Sequence, residues 1–376
     1  MRILFTGGGT GGHFFPIVAV ARELKRIAEE EQILDLELFY MGPDDFGQEV
    51  IVQEEIFFLR VGTGKMRRYV SALNFLDFFK TFFGVIRGVW RMFFVMPDVV
   101  FSKGGYGAVP AIAGAILFRI PLIIHESDSI PGTVNRFAAR FAVRVGIAFP
   151  SAAQFFPKGK TAVVGIPIRK RILGGNIAHA KESLSIFTDA PVIGVIGASQ
   201  GSQKINEAVL GILKELAEEF EIVHQTGQKN FEDVKGEGMV TLEFAHKEHY
   251  HPVSFFDEQG MRDFYAASDL IVSRAGASSI FEIAAWAKPA ILVPLLNSAQ
   301  EHQLKNAYEY AAVGAAEIIE EANLTPHILL GEIKRIIQNK DGLRRMGEAA
   351  QRFSRIDAAE IIARELLRLG LHEKLK

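Results

Sequence analysis

An apolar run that breaks into a cluster of glycines occurs twice in this chain, first as MRILFTGGGTGGH from Met1 and again as VIGVIGASQGS from Val192. Each reads as a buried strand, a loop without Cβ atoms and the start of a helix. Backbone N–H groups in such a loop approach a ligand closely, and the positive end of the following helix points at it. The pattern commits each half of the chain to a parallel α/β arrangement. Further strand-like runs at Arg2–Phe5, Leu36–Met41, Ile56–Arg60, Asp98–Ser102, Pro121–Ile124 and Val143–Ile147 alternate with helical stretches, the first of them Phe15–Ile27. After Thr161–Val164 and the turn GIPIR, the pattern restarts at Val192–Ile196, with a helix expected over Lys204–Glu219 and strands at Glu221–His224, Asp269–Ser273 and Ala290–Val293. Two doubly wound units in tandem follow, each with its ligand site at the carboxyl ends of its strands. The hinge is expected near Gly165–Pro167, and the Arg355–Leu369 helix is expected to pack back on the first unit.

Composition narrows the chemistry. The 376 residues are 49% hydrophobic and 23% charged, with a net charge of −2, which suits globular domains and gives no global attraction to nucleic acid. Cysteine is absent, so disulfides, thiolate metal sites and a cysteine nucleophile are excluded. No charged n-region and apolar h-region precede the first strand, so the cytoplasm is the expected compartment.

The motifs each admit two readings. GGGTGGH contains G-x-G-x-x-G, but a dinucleotide site wants an acidic residue closing the second strand, and here Asp44 and Asp45 come only after Pro43. His13 is the side chain of that loop able to move a proton near neutral pH. In GASQGS, Ser199, Gln200 and Gly201 form an anion pocket or, alternatively, Ser199 or Ser202 simply caps a helix. In SRAGASSIFEIAAWAKP, Glu282 either accepts two hydrogen bonds from a ribose or reaches back to Ser279 in a capping box. KGGYGAVP and HESDSIPG each follow an apolar strand, presenting Tyr106 from the first and Asp128 from the second. No D-x-D pair occurs, so the metal-diphosphate motif of one large transferase class is missing. His246, His249 and His251 read as a solvated surface loop rather than a zinc site.

Between Ser71 and Met96 seven phenylalanines accompany Asn74, Asp77, Lys80, Thr81, Gly84, Arg87, Gly88 and Arg91, which recur at helical steps as a polar stripe. The charges argue against a spanning helix. A helix packed on the sheet by one side and touching an anionic membrane surface through Phe75, Phe79, Phe82, Phe83 and Trp90 is expected, with Lys65, Arg67 and Arg68 upstream.

Taken in order, GGGTGGHFFP, KGGYGAVP, HESDSIPG, GIPIR, GASQGS and SRAGASSIFEIAAWAKP make the chain resemble the MurG family over almost its whole length. The resemblance implies the GT-B architecture: two Rossmann-like domains, here 1–164 and 165–352, with 353–376 returning to the first and the active site in the cleft. It implies a peripheral enzyme of the cytoplasmic membrane face that needs no cofactor or metal. Such an enzyme moves N-acetylglucosamine from UDP-N-acetylglucosamine to undecaprenyl-diphospho-muramoyl pentapeptide (lipid I), giving lipid II with inversion. Donor contacts carried over are Glu282 to ribose, Ser199, Gln200, Gly201, Gly276, Ser278 and Arg169 to the diphosphate, Met261 with Phe256 near uracil, and Gln303 to the sugar. Glu301 departs from the aspartate expected there. Acceptor contacts are Thr10, Gly11, Gly12, Tyr106 and Asp128, where some members carry asparagine at the last position. His13 is the first candidate for the base and Asp128 the second. The rival readings are a GT-B enzyme acting on diacylglycerol or another lipid, a UDP-N-acetylglucosamine 2-epimerase, and a non-catalytic UDP-sugar-binding scaffold at the membrane.

Overall fold

The computed structural model describes residues 1–8, 11–43, 47–64, 72–197, 201–242, 246–296 and 301–371, apart from the side chains of 48 and 72–79. The chain divides into two compact units, Met1–Arg169 with Ile356–Lys376, and Lys170–Arg355. Residues 165–169, the GIPIR turn, therefore group with the first unit.

The first unit is built on strands β1 (Arg2–Thr6), β2 (Glu37–Gly42), β3 (Phe57–Arg60), β4 (Val99–Ser102), β5 (Leu122–Glu126), β6 (Arg144–Ile147) and β7 (Thr161–Val163). They form one sheet in the order β3-β2-β1-β4-β5-β6-β7, and every pairing is parallel. Strand order reverses between β1 and β4, where Thr6 pairs with Ser102, the place where an open parallel sheet holds its ligand. One sheet face carries Ile3, Phe5 and Phe101 against the Gly11–Glu30 and Ala358–Gly370 helices. The other carries Leu4, Val100 and Ile124 against Met92, Ala111 and Ala115.

The Ala72–Val95 helix turns its aromatic face outward as expected, but two positions of the stripe read as polar are buried. Gly84 and Gly88 are buried, while Phe82, Phe83, Ile86, Trp90, Phe93 and Phe94 are exposed. Packing supplies the reason: a Cβ on Gly88 would lie 2.6 Å from the Pro110 ring of the Val109–Phe118 helix, so the glycines admit the neighbour. The stripe read as polar is thus partly a helix contact, and the aromatic face looks outward. Phe75 and Phe79 lie on this helix, with side chains outside the described set, as are Lys65, Arg67 and Arg68.

The second unit has strands β8 (Val192–Ile196), β9 (Glu221–Gln225), β10 (Tyr250–Val253), β11 (Leu270–Ser273), β12 (Ala290–Leu292) and β13 (Ala316–Ile318). Their order is β10-β9-β8-β11-β12-β13, again all parallel, with the reversal between β8 and β11. Two strands here, β10 and β13, depart from the sequence expectation. The histidine-rich stretch is partly strand rather than loop, because Tyr250 and Pro252 pair with β9 at the sheet edge, where proline's missing donor is tolerated. The helix expected over Lys204–Glu219 is two, Gln203–Leu210 and Leu213–Ala217. The break falls at Gly211, where a Cβ would approach the Pro326 ring to 2.8 Å.

Candidate active site

In the first unit the helix after β1 begins at Gly11, so His13 sits on its first turn instead of in the preceding loop. Glycine at the first two helical positions places no side chain of its own over the N–H groups of that turn, which suits an anion or a sugar hydroxyl. His13 Nδ1 lies 3.1 Å from the carbonyl oxygen of Lys103. A carbonyl only accepts, so the proton is on Nδ1 and the lone pair of the neutral ring is on Nε2. Gly104 and Gly105 follow with φ of 77° and 78°. That left-handed pair turns the chain after β4, and a Cβ on Gly105 would press on Gly8 at 3.2 Å. The KGG motif is thereby explained locally: its glycines bring β4's loop against β1's.

Lys103 itself is fully buried. Its Nζ donates to His125 Nδ1 and to Ser127 Oγ, both at 2.6 Å, and His125 Nε2 donates to the Gly165 carbonyl at 2.7 Å. One residue therefore meets both candidate bases: its carbonyl orients His13, and its ammonium holds Ser127, the neighbour of Asp128. Burial lowers the Lys103 ammonium toward neutrality, opposed by the charges of Glu126 and Asp128. Burial raises Glu126, helped by Asp128. Burial, together with the charge of Lys103, also holds His125 well below the ordinary imidazole range, so it stays neutral. Glu126 is a loop brace: it accepts from Asp128 N at 3.0 Å, Gly132 N at 3.1 Å and Asn135 Nδ2 at 2.9 Å. Asp128 stands half-buried at the top of this brace, and Tyr106 is exposed at 40% in the neighbouring loop. Arg169, which ends the first segment of the unit, lays its guanidinium 4.1 Å over the Phe15 ring, two positions from His13. Gly11 and Gly12 open the helix; Thr10 lies outside the described residues.

In the second unit the loop after β8 includes Ser199 and Gln200, which lie outside the described residues. Gly201 has φ 76°, and Ser202 caps the next helix by accepting from Ile205 N at 3.4 Å. The loop after β11 runs Arg274-Ala275-Gly276 into the Ala277–Ala285 helix, whose N-cap is Gly276. Gly276 has no side chain to cap with, so the first N–H groups of this helix have no capping side chain at that position. The capping-box alternative for Glu282 is not what forms: Ser279 lies inside the helix and Glu282 is on its second turn. Its Oε2 instead accepts from Tyr265 OH at 3.1 Å. Tyr265 stacks at 21° on Trp286, fixing the hydroxyl that aims the carboxylate. Met261 and Phe256 are buried on and before the Glu258–Ala267 helix, one turn from Tyr265. Ser278 is half-buried on the first turn after Gly276. Gln303 anchors its side-chain carbonyl on Leu295 N at 3.0 Å. Arg274 is buried, donating to Val293 O at 3.2 Å and to Glu321, which also accepts from Leu296 N at 3.1 Å.

Lys103 and Arg274 are buried cations beside the candidate site that sequence reasoning passed over. Both stand inside quoted motifs, one position after a strand, and a buried cation there has no periodic signature.

Both units match known domains. Residues 3–147 match the glycosyltransferase family 28 N-terminal domain and residues 192–362 the glycosyltransferase family 28 C-terminal domain. The UDP-N-acetylglucosamine--N-acetylmuramyl-(pentapeptide) pyrophosphoryl-undecaprenol N-acetylglucosamine transferase of Legionella pneumophila (strain Paris) is 33% identical over 368 residues, covering 96% of each chain. The chain belongs to the MurG family. A transferase of the same name from Lachnospira eligens is 34% identical over 341 residues, covering 90% of this chain and 92% of its own. The crystal structure of Acinetobacter baumannii MurG superposes with a TM-score of 0.75 at 26% identity, covering 98% of this chain and 99% of the other. The GT-B fold is shared more widely: the UDP-GlcNAc 2-epimerase of Neisseria meningitidis superposes at 0.69 with 14% identity, over 98% of this chain and 100% of the other. As a MurG-family member the protein is an N-acetylglucosaminyltransferase.

Proposed function

We propose that this protein transfers N-acetylglucosamine from UDP-N-acetylglucosamine to the 4-hydroxyl of a lipid-linked muramoyl pentapeptide, giving lipid II. The observation that carries the reading is the 33–34% identity, running through both units, with transferases of that name.

The residue roles are those the family resemblance implies, and the contacts of Glu282 and His13 support them. Glu282, steadied by Tyr265, accepts the two vicinal ribose hydroxyls. The uncapped N–H groups after Gly276, with Ser278, Ser199, Gln200 and Gly201, take the diphosphate, and Arg169 adds positive charge. Phe256 and Met261 flank the base and Gln303 the sugar. Thr10, Gly11, Gly12 and Tyr106 hold the acceptor. His13 accepts the attacking hydroxyl's proton at Nε2, because Lys103 occupies Nδ1. The hydroxyl oxygen bonds to the anomeric carbon as the bond to UDP breaks, and the N–H donors stabilise the departing charge. Asp128 positions acceptor hydroxyls and is the second candidate for the base.

The exposed aromatic face of the Ala72–Val95 helix, with Lys80 and Arg87 beside it, lies on an anionic membrane surface at its cytoplasmic side. No helix among the described residues is long and apolar enough to cross a membrane. A transfer assay offering lipid I and diacylglycerol analogues side by side with UDP-N-acetylglucosamine tests the reading. Release of UDP with lipid I alone supports it; transfer to diacylglycerol, or UDP binding without turnover, overturns it.

A further inference from the structure

Glu221 opens β9 with 1% of its side chain exposed. Its carboxylate is fully engaged: Thr188 Oγ1 donates to Oε1 at 2.6 Å, His249 Nδ1 to Oε1 at 2.9 Å and His251 Nε2 to Oε2 at 2.8 Å. Among the described residues its ion-pair partners are these two histidines, with no lysine or arginine. A buried anion is costly unless cationic charge reaches it, and neutral donors supply only part of the compensation.

The outer side of His249 shows where that charge would come from. With Nδ1 donating to Glu221, the ring's lone pair is on Nε2, which faces Glu248 Oε1 at 3.7 Å. His246, at a left-handed φ of 63°, starts the short turn Lys247–His249, and its ring centroid lies 5.6 Å from that of His249. One ligand atom from each of His246, Glu248 and His249 falls within 4.8 Å of the other two. A histidine held through one nitrogen by a rigid carboxylate, with the other nitrogen turned to further ligands, is the arrangement that tightens metal binding and fixes the imidazole tautomer.

We propose that His246, Glu248 and His249 form a zinc site at the edge of the second sheet, with Glu221 as its outer carboxylate. Two imidazoles and one carboxylate, with a fourth position left to water, suit Zn²⁺. The ion ties the 246–249 turn to β9 and β10 at the amino ends of these strands, opposite the carboxyl ends that carry the ligand loops, and it takes no part in glycosyl transfer. The loop expected from sequence to be merely solvated thus acquires a ligand.

The test uses the full chain, stripped with EDTA and titrated with Zn²⁺ against a chromophoric chelator at pH 7.5. One saturable equivalent is expected, lost in His249→Ala and in the surface variants His246→Ala and Glu248→Ala. Glu221→Gln keeps the shape but removes the charge, and weakens uptake about 10–100-fold. His251→Gln touches the same carboxylate outside the ligand set and leaves uptake near that of the unaltered chain. Saturating Zn²⁺ raises Tm by a few degrees in the unaltered chain and not in His246→Ala. Absence of a saturable equivalent, or uptake unchanged in both His246→Ala and Glu248→Ala, overturns the proposal. So does thermal stability that climbs on acidification yet ignores Zn²⁺, since protons alone would then compensate Glu221.

Discussion

Replacing Phe82 and Phe83 together by aspartate is expected to release the protein from anionic vesicles while leaving its donor site intact. The two rings stand 5.7 Å apart on the outward face of the Ala72–Val95 helix, exposed at 53% and 64%. A fully covered phenylalanine buries roughly 200 Å², so the pair offers about 230 Å² of apolar surface at those exposures. Complete transfer from water at about 25 cal/mol per Å² would be worth about 6 kcal/mol. A helix lying in the interface covers one side of each ring, which leaves about 3 kcal/mol, or roughly 100-fold in partitioning. Two new carboxylates near anionic lipid oppose binding by about 1 kcal/mol each. The fold should tolerate the change within about 0.5 kcal/mol, because neither ring is in the core. Sedimentation with phosphatidylglycerol vesicles should therefore show at least a 100-fold weaker partition, and calorimetry an unchanged UDP affinity. A partition within two-fold of the unaltered chain would refute the assignment of this face to the membrane.

His13→Ala should lower kcat by about 10²–10⁴ with the KM for UDP-N-acetylglucosamine nearly unchanged, the signature of a lost base; turnover within a few-fold at saturation would assign the base elsewhere. Glu282→Ala should weaken UDP binding by about 100-fold, through two charge-assisted hydrogen bonds, whereas Tyr265→Phe should cost less than ten-fold; calorimetric titration with UDP separates them. His224 is buried between Asn206 Oδ1 at 3.0 Å and Tyr250 OH at 3.1 Å, and burial lowers it to about 3. The unfolded chain binds this proton near pH 6.5 and the folded chain does not, so stability should fall by about 1.4 kcal/mol per pH unit between 6.5 and 3. Urea unfolding across pH 6 to 4.5 should show this contribution added to that of buried His125, and His224→Gln should reduce the slope by about 1.4 kcal/mol per pH unit.

The parallel architecture was legible because β1, β4, β5, β8 and β11 are continuous apolar runs, which is how strands covered on both faces read. Their glycine exits marked the ligand side. What escaped were segments decided by tertiary partners. β10 carries two histidines and a proline, and β13 is Ala-Glu-Ile; neither looks like a strand until an edge of β9 or β12 is there to pair with it. Gly84 and Gly88 looked like part of a wet stripe, since helical spacing alone cannot tell a glycine that admits a neighbour from one that faces solvent. The burial of Lys103 and Glu221 was equally invisible: each needs acceptors or donors supplied by chain some twenty or more residues away.

Because His13 belongs to the Gly11–Glu30 helix, the aim of its imidazole is tied to a rigid rod rather than to a flexible turn. The far end of that rod is clamped by the Ala358–Gly370 segment, through Arg26 with Glu360 at 3.3 Å and Arg364 with Glu31 at 2.9 Å. Damage to the closing helix would thus be read at the opposite end of the rod, as a misdirected imidazole in the role proposed for His13. A tag or truncation there belongs among the first suspects when a preparation folds but turns over poorly.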